Sequence, residues 1–245
     1  MCTVSFLSDN KGRYFITSNR DESSNRQALA PKLYLSNTGI DLVYPKDPLA
    51  GGTWIATSNT GKTICLLNGA FETHKHLPPY RISRGLLVLE MLSNPNSEQW
   101  IHQFSLEGIE PFTIIYFDEI NERLIEYRWD EEKLHEKILD NQQSYIWASS
   151  TLYNASIRTM RQETFDEWLI NAIINSENIF NFHKYSGNGD LKNNFVMKRE
   201  GVETISITQV IIGRTEKRMV YEDLIDQKQY QTSMHSCILK SDIPS

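Results

Sequence analysis

Runs of apolar residues separated by short polar breaks open the chain. Residues 2–7 and 13–18 flank the polar tip Ser8-Asp9-Asn10-Lys11-Gly12, a pattern that predicts a β-hairpin pivoting near Asn10 and Lys11. A second hairpin is predicted from residues 53–57 and 62–67 around the turn Ser58-Asn59-Thr60-Gly61, and its returning strand is apolar at nearly every position, as a central strand would be. The segment between them carries Pro31, Pro45 and Pro48 among polar residues and reads as a surface excursion of loop with short extended pieces.

The period then changes. Residues 81–92 place Ile82, Leu86, Leu87, Leu89 and Met91 on nearly every side of a helix, which predicts burial on more than one face, and a short helix is expected at 98–104. Strands are expected at 112–117, 123–129 and 145–149. Ile157, Met160, Arg161, Phe165, Trp168, Leu169, Ala172 and Ile173 recur at helical spacing over roughly five turns, followed by a helical piece at 177–185. Strands return at 206–212, 217–222 and 233–239. Strands at both ends with helices between predict layered α and β structure with much antiparallel pairing, in one domain spanning residues 1–245.

Composition narrows the function. A net charge of −6 without a Lys/Arg cluster argues against a nucleic-acid partner. There is no apolar run long enough for a transmembrane helix and no secretory pattern, so a cytoplasmic protein is the expectation. Three cysteines, Cys2, Cys65 and Cys237, lack metal-ligand spacing, so neither a disulfide framework nor a metal site is expected, and no cofactor is implied.

The first hairpin brings Cys2 opposite Asn19 and Arg20, and so gathers Cys2, Asn19, Arg20, Asp21 and Glu22 at one end. If Met1 is removed, Cys2 carries both a thiol and an α-amine that can serve as its general base. Arg20 is placed to favour thiolate and Asp21 to hold the amine. In the second hairpin Asn68 falls opposite Gly51 and Gly52, where a side-chain amide can donate to an oxyanion without crowding an acyl group. Trp54 is read as a core or pocket-lining aromatic.

Met1-Cys2-Thr3, Ser18-Asn19-Arg20-Asp21-Glu22, Gly51-Gly52-Thr53-Trp54 and Leu67-Asn68-Gly69 resemble the motifs of the NRDE family, also called the Transport and Golgi organisation protein 2 family. More distantly the chain is similar to bile salt hydrolases and penicillin V acylases. That likeness implies an α+β, four-layer αββα N-terminal-nucleophile hydrolase fold, with Cys2 as nucleophile, Asp21 at its amine and Asn68 at the oxyanion. Ser18, Ser150 and Ile205 stand where those acylases have arginine, asparagine and arginine. The resemblance therefore implies two functions: a cysteine hydrolase of linear amides or thioesters, or a carrier of haem or acyl lipid on the same fold. Either would take a small-molecule ligand with an acyl or apolar moiety.

Other motifs read as structural. Gly61-Lys62-Thr63 lacks the first glycine of a phosphate loop, since Ala56 stands there, and suits a hairpin turn. His74 and His76 lack a third metal ligand and read as loop residues. Cys65 and Cys237 read as small strand hydrophobes.

Overall fold

The architecture comes from a computed structural model that describes residues 3–187, 189–214 and 216–235; Cys2 and Cys237 lie outside the described residues. The first hairpin joins β1 (Thr3–Ser8) to β2 (Tyr14–Glu22), with Thr3 opposite Asn19 and Ser8 opposite Tyr14. Where the sequence pattern predicts mostly loop, β3 (Leu29–Leu35) pairs with β4 (Asp41–Lys46) across a register shift between Leu29 and Lys32. The second predicted hairpin follows as β5 (Ile55–Ser58) and β6 (Lys62–Asn68), turning through Gly61 at φ +81°.

Next come α1 (Arg84–Leu92) and α2 (Ser97–Gln103), then β7 (Phe112–Asp118), β8 (Arg123–Trp129), β9 (Leu134–Leu139) and β10 (Tyr145–Ala148). Of these only β9 has no counterpart in the sequence reading. α3 (Ala155–Leu169) is shorter than its apolar period suggests: the chain leaves the helix at Ile170, and Ile170 and Ile173 are exposed. α4 (Ser176–Tyr185) precedes β11 (Lys198–Arg199), β12 (Val202–Ile212), β13 (Glu216–Asp223) and β14 (Lys228–His235). The last strand begins five residues before the predicted start at 233, because its first half is polar and exposed.

All described pairings are antiparallel. One sheet runs β10-β1-β2-β12-β13-β14, with β11 beside β12, and the other runs β3-β4-β5-β6-β7-β8-β9. Val4, Phe6 and Ile16 from the first sheet meet Cys65, Leu67, Ile115 and Phe117 from the second, so the sheets stack face to face. The second sheet's outer face, including Ile64, Ile114 and Tyr127, packs under Leu87, Val88, Met91 and Ile101 of α1 and α2. The first sheet's outer face, including Leu7, Phe15 and Ile211, packs under Phe165, Ile179 and Phe182 of α3 and α4. The layer order is therefore αββα, as expected, and strands buried on both faces explain why β6 and β7 are apolar almost throughout. Among the described residues no helix is long and apolar enough to cross a membrane.

Candidate active site

The residues singled out in the sequence distribute over both faces of β2, because side chains alternate along a strand. Arg20 points between the sheets. It contacts Asp47 at 3.1 Å through Nη2, donates from Nη1 to the Arg26 carbonyl at 2.5 Å, and lies 4.6 Å from the centre of the Trp54 ring. Burial lowers its pKa, and Asp47 opposes that shift. Asp47 thereby balances the charge of Arg20.

Asn19 and Asp21 face the helical layer instead. Asn19 Nδ2 donates to the carbonyls of His183 (3.1 Å) and Phe195 (3.0 Å), and its Oδ1 accepts from His183 Nδ1. That fixes the tautomer: Nε2 of His183 is left to accept from Ser5 Oγ at 2.7 Å. Burial, reinforced by Arg161, pulls His183 down to about 3, so it is neutral. Asp21 accepts from Tyr153 Oη at 2.7 Å and from Thr204 Oγ1. Arg161, fully buried, donates to Thr3 Oγ1 and to the Asn194 carbonyl at 2.6 Å, and stacks on Tyr153 at 4.0 Å. Tyr153, Arg161, His183 and Thr204 were not assigned to the site from sequence; only Arg161, a cation at an apolar helical position, carried a signal there.

Arg20, Glu22, Gly52, Trp54 and Asn68 line one cavity of about 400 Å³ together with Arg26, Asp47, His76, Tyr80, Ile82, Arg84 and Glu110. Its walls are built by backbone constraints. Asp47 accepts from Leu49 and Ala50 N–H, and Gly51, at φ +73°, reverses the chain by donating to the Asp47 carbonyl. Gly52 then passes so close to the first turn of α1 that an added Cβ would sit 2.3 Å from the Gly85 carbonyl carbon. Ser83 caps that helix by accepting from Leu86 N–H.

Asn68 ends β6 with its backbone held on several sides: its carbonyl accepts from Ser149 Oγ at 2.8 Å, while Gly69 donates to Pro111 at 2.9 Å and accepts from Thr113. Its side-chain amide is engaged by no described residue, which is the arrangement an oxyanion donor requires. Ser150 is elsewhere. Its Oγ donates to the Glu72 carbonyl at 3.2 Å and fills the space a Cβ on Gly69 would need, so it buttresses Asn68 from behind. Ser18 is buried between the sheets, and Ile205 occupies the register shift in β12 between Thr204 and Ser206.

The far wall holds a second ionic group that the sequence reading did not assemble. Glu110 contacts Arg84 at 2.8 Å, His74 at 3.1 Å and His76 at 3.0 Å. Burial pushes the Glu110 carboxyl up, but Arg84 and the two imidazoles outweigh it and hold the group below the ordinary range. Cys65 is inert by contrast, since burial pushes its thiol up to about 12.

Structural comparison finds a variant of conjugated bile acid hydrolase from Clostridium perfringens at TM-score 0.60 and 12% identity, covering 95% of this chain and 92% of that one. A second mutant of the same hydrolase matches at TM-score 0.58 and 11% identity, covering 96% and 92%. An N-acylethanolamine-hydrolyzing acid amidase ortholog from Caenorhabditis elegans matches at 0.58 and 11%, covering 85% and 92%. At such identities the likeness shows the fold, that of the N-terminal-nucleophile hydrolases. No curated protein matches the chain by sequence. The profile of the family described as Transport and Golgi organisation 2 matches residues 1–242, and the chain belongs to that family.

Proposed function

We propose that the protein is an N-terminal cysteine hydrolase that cleaves a linear amide, or a thioester, through Cys2 after removal of Met1. The observation that carries this reading is the Asn68 side chain: an amide that no described residue engages, on an immobilised backbone, lining a cavity that Arg20 and Gly52 also line. In the proposed cycle the Cys2 amine takes the thiol proton, and the thiolate adds to the substrate carbonyl while Asn68 donates to the oxyanion. The C–N bond then breaks, the amine leaves with that proton, and water cleaves the acyl thioester to release an acid and restore the thiol.

An electrophilic acyl probe followed by intact-mass and peptide-mapping spectrometry tests it. The expected result is a chain lacking Met1 with one adduct on Cys2, absent in Cys2→Ala. A retained Met1, or adducts spread over Cys65 and Cys237, would overturn the reading.

The second reading is a carrier of haem or acyl lipid. Ser18, Ser150, Ile205 and the neutralisation of Arg20 by Asp47 favour it, whereas a cavity lined by eight ionisable side chains disfavours a large apolar ligand. Ligand binding that survives Cys2→Ala without any acyl transfer by the wild type is its signature.

A further inference from the structure

The cavity's charges are unevenly committed. Arg20 and Arg26 share Asp47, at 3.1 and 2.9 Å, and Asp47 also caps two backbone N–H groups. Glu110 is taken up by Arg84, His74 and His76. Arg26 is the loosest of the cations: its side chain is 35% exposed, its second carboxylate contact is to the 30% exposed Glu22, and its Nε lies near Asp47 without hydrogen-bond alignment. Arg26 and Arg84 line the same cavity within Coulomb reach of each other: burial lowers the pKa of Arg84, Glu110 and Tyr80 oppose that, and the charge of Arg26 adds a smaller lowering. Among the described residues, no carboxylate contacts both of them.

An anion between Arg26 and Arg84 would relieve that repulsion and add a planar partner shared by both guanidiniums, beside the Glu22 and Asp47 contacts of Arg26 and the Glu110 contact of Arg84. The apolar part of the lining is limited to a wall that includes Trp54, Leu66, Tyr80 and Ile82. A cavity of about 400 Å³ is at the small end of the roughly 300–1,000 Å³ typical of ligand pockets. A long hydrocarbon chain or a macrocycle would have to strip water from the charged residues without replacing it.

We propose that this cavity selects a small amide bearing a carboxylate, held between Arg26 and Arg84 with its short acyl part along the Trp54–Leu66–Ile82 wall. The word amide rests on the hydrolase reading; the recognition of a small carboxylated ligand does not.

The two parts separate in one experiment. Calorimetric titration of the full chain carrying Cys2→Ala compares N-butyrylglycine, its uncharged counterpart N-butyrylglycinamide, and haemin. The acid is expected to bind at least about tenfold more tightly than the amide, equivalent to about 1.4 kcal/mol. Adding Arg26→Gln should abolish that preference without moving the thermal midpoint appreciably, and Arg26→Lys should restore part of it. Equal affinities, a preference that persists in Arg26→Gln, no measurable binding of the acid, or tighter binding of haemin than of the acid would each overturn the proposal. Preferential binding of the acid with no turnover by the wild type would uphold the site and sink the hydrolase reading; equal turnover of acid and amide would do the reverse.

Discussion

The two faces of β2 solve the same problem in opposite ways. On the helical side, Asn19, Asp21, Arg161 and His183 are buried, and each is tied to protein donors or acceptors. On the other side, Arg20 and Glu22 border a cavity that Asn68 also lines and whose Arg26 is partly solvated. The contrast teaches that a run of four polar residues, Asn19 to Glu22, is two half-motifs interleaved by the pleat. One half holds the strand against α3 and α4, and the other lines the cavity.

The comparison breaks most readily at Arg161. Replacing it with alanine leaves Thr3 and the Asn194 carbonyl without their donor and opens a void beside Tyr153 and Phe195. Denaturant unfolding should show a loss of about 3–5 kcal/mol. A loss no greater than the ~1 kcal/mol of a surface ion pair would mean that the helical face is not the closed structural cluster described above.

Asn68→Ala should do the converse. Acylation by an electrophilic probe is expected to slow by about 10²–10³, roughly 2.7–4 kcal/mol in the barrier, as for other oxyanion donors, with little change in unfolding free energy. Unchanged acylation kinetics would remove Asn68 from the chemistry.

A smaller effect separates the faces by pH. His183 sits at about 3 in the folded chain because burial, then Arg161, disfavours its charged form, against about 6.5 when unfolded. The unfolded chain therefore binds the extra proton between those values. The stability contributed by neutral His183 is present above about pH 6.5 and lost as pH falls towards 3, by on the order of 1 kcal/mol per pH unit. Unfolding curves at pH 7, 5.5 and 4.5 should show this slope, and His183→Gln should flatten it; an equal slope in both proteins would contradict the assignment.

These contrasts also mark how far the sequence could be read. Hairpins and amphipathic helices were legible because apolar spacing is a local signal, and the register that sets Thr3 opposite Asn19 follows from the Asn10-Lys11 turn. β3, β4 and β9 were not. Pro31 and Pro45 mask the first pair, while Leu134–Leu139 is an edge strand, largely solvated, with little alternation to detect. Ala172 and Ile173 prolonged the helical period beyond the end of α3, although Ile173 is largely exposed. Within the site, Cys2, Asn19 to Glu22 and Asn68 could be named because they fall at the ends of locally paired hairpins and in motifs that resemble a known family. Asp47, Arg84 and Glu110 could not, since they arrive from a surface turn, a helix start and a strand approach that only tertiary packing unites.

The near-contact of Gly52 with Gly85 carries a consequence for how this cavity can change. Two backbones without side chains between them act as a welded seam, so the pocket cannot be deepened or narrowed along that wall by any ordinary substitution. Diversification of ligand preference, in nature or in the laboratory, must therefore come from the rest of the lining, where Arg26, His76 and Tyr80 can be exchanged one at a time without parting helix from sheet.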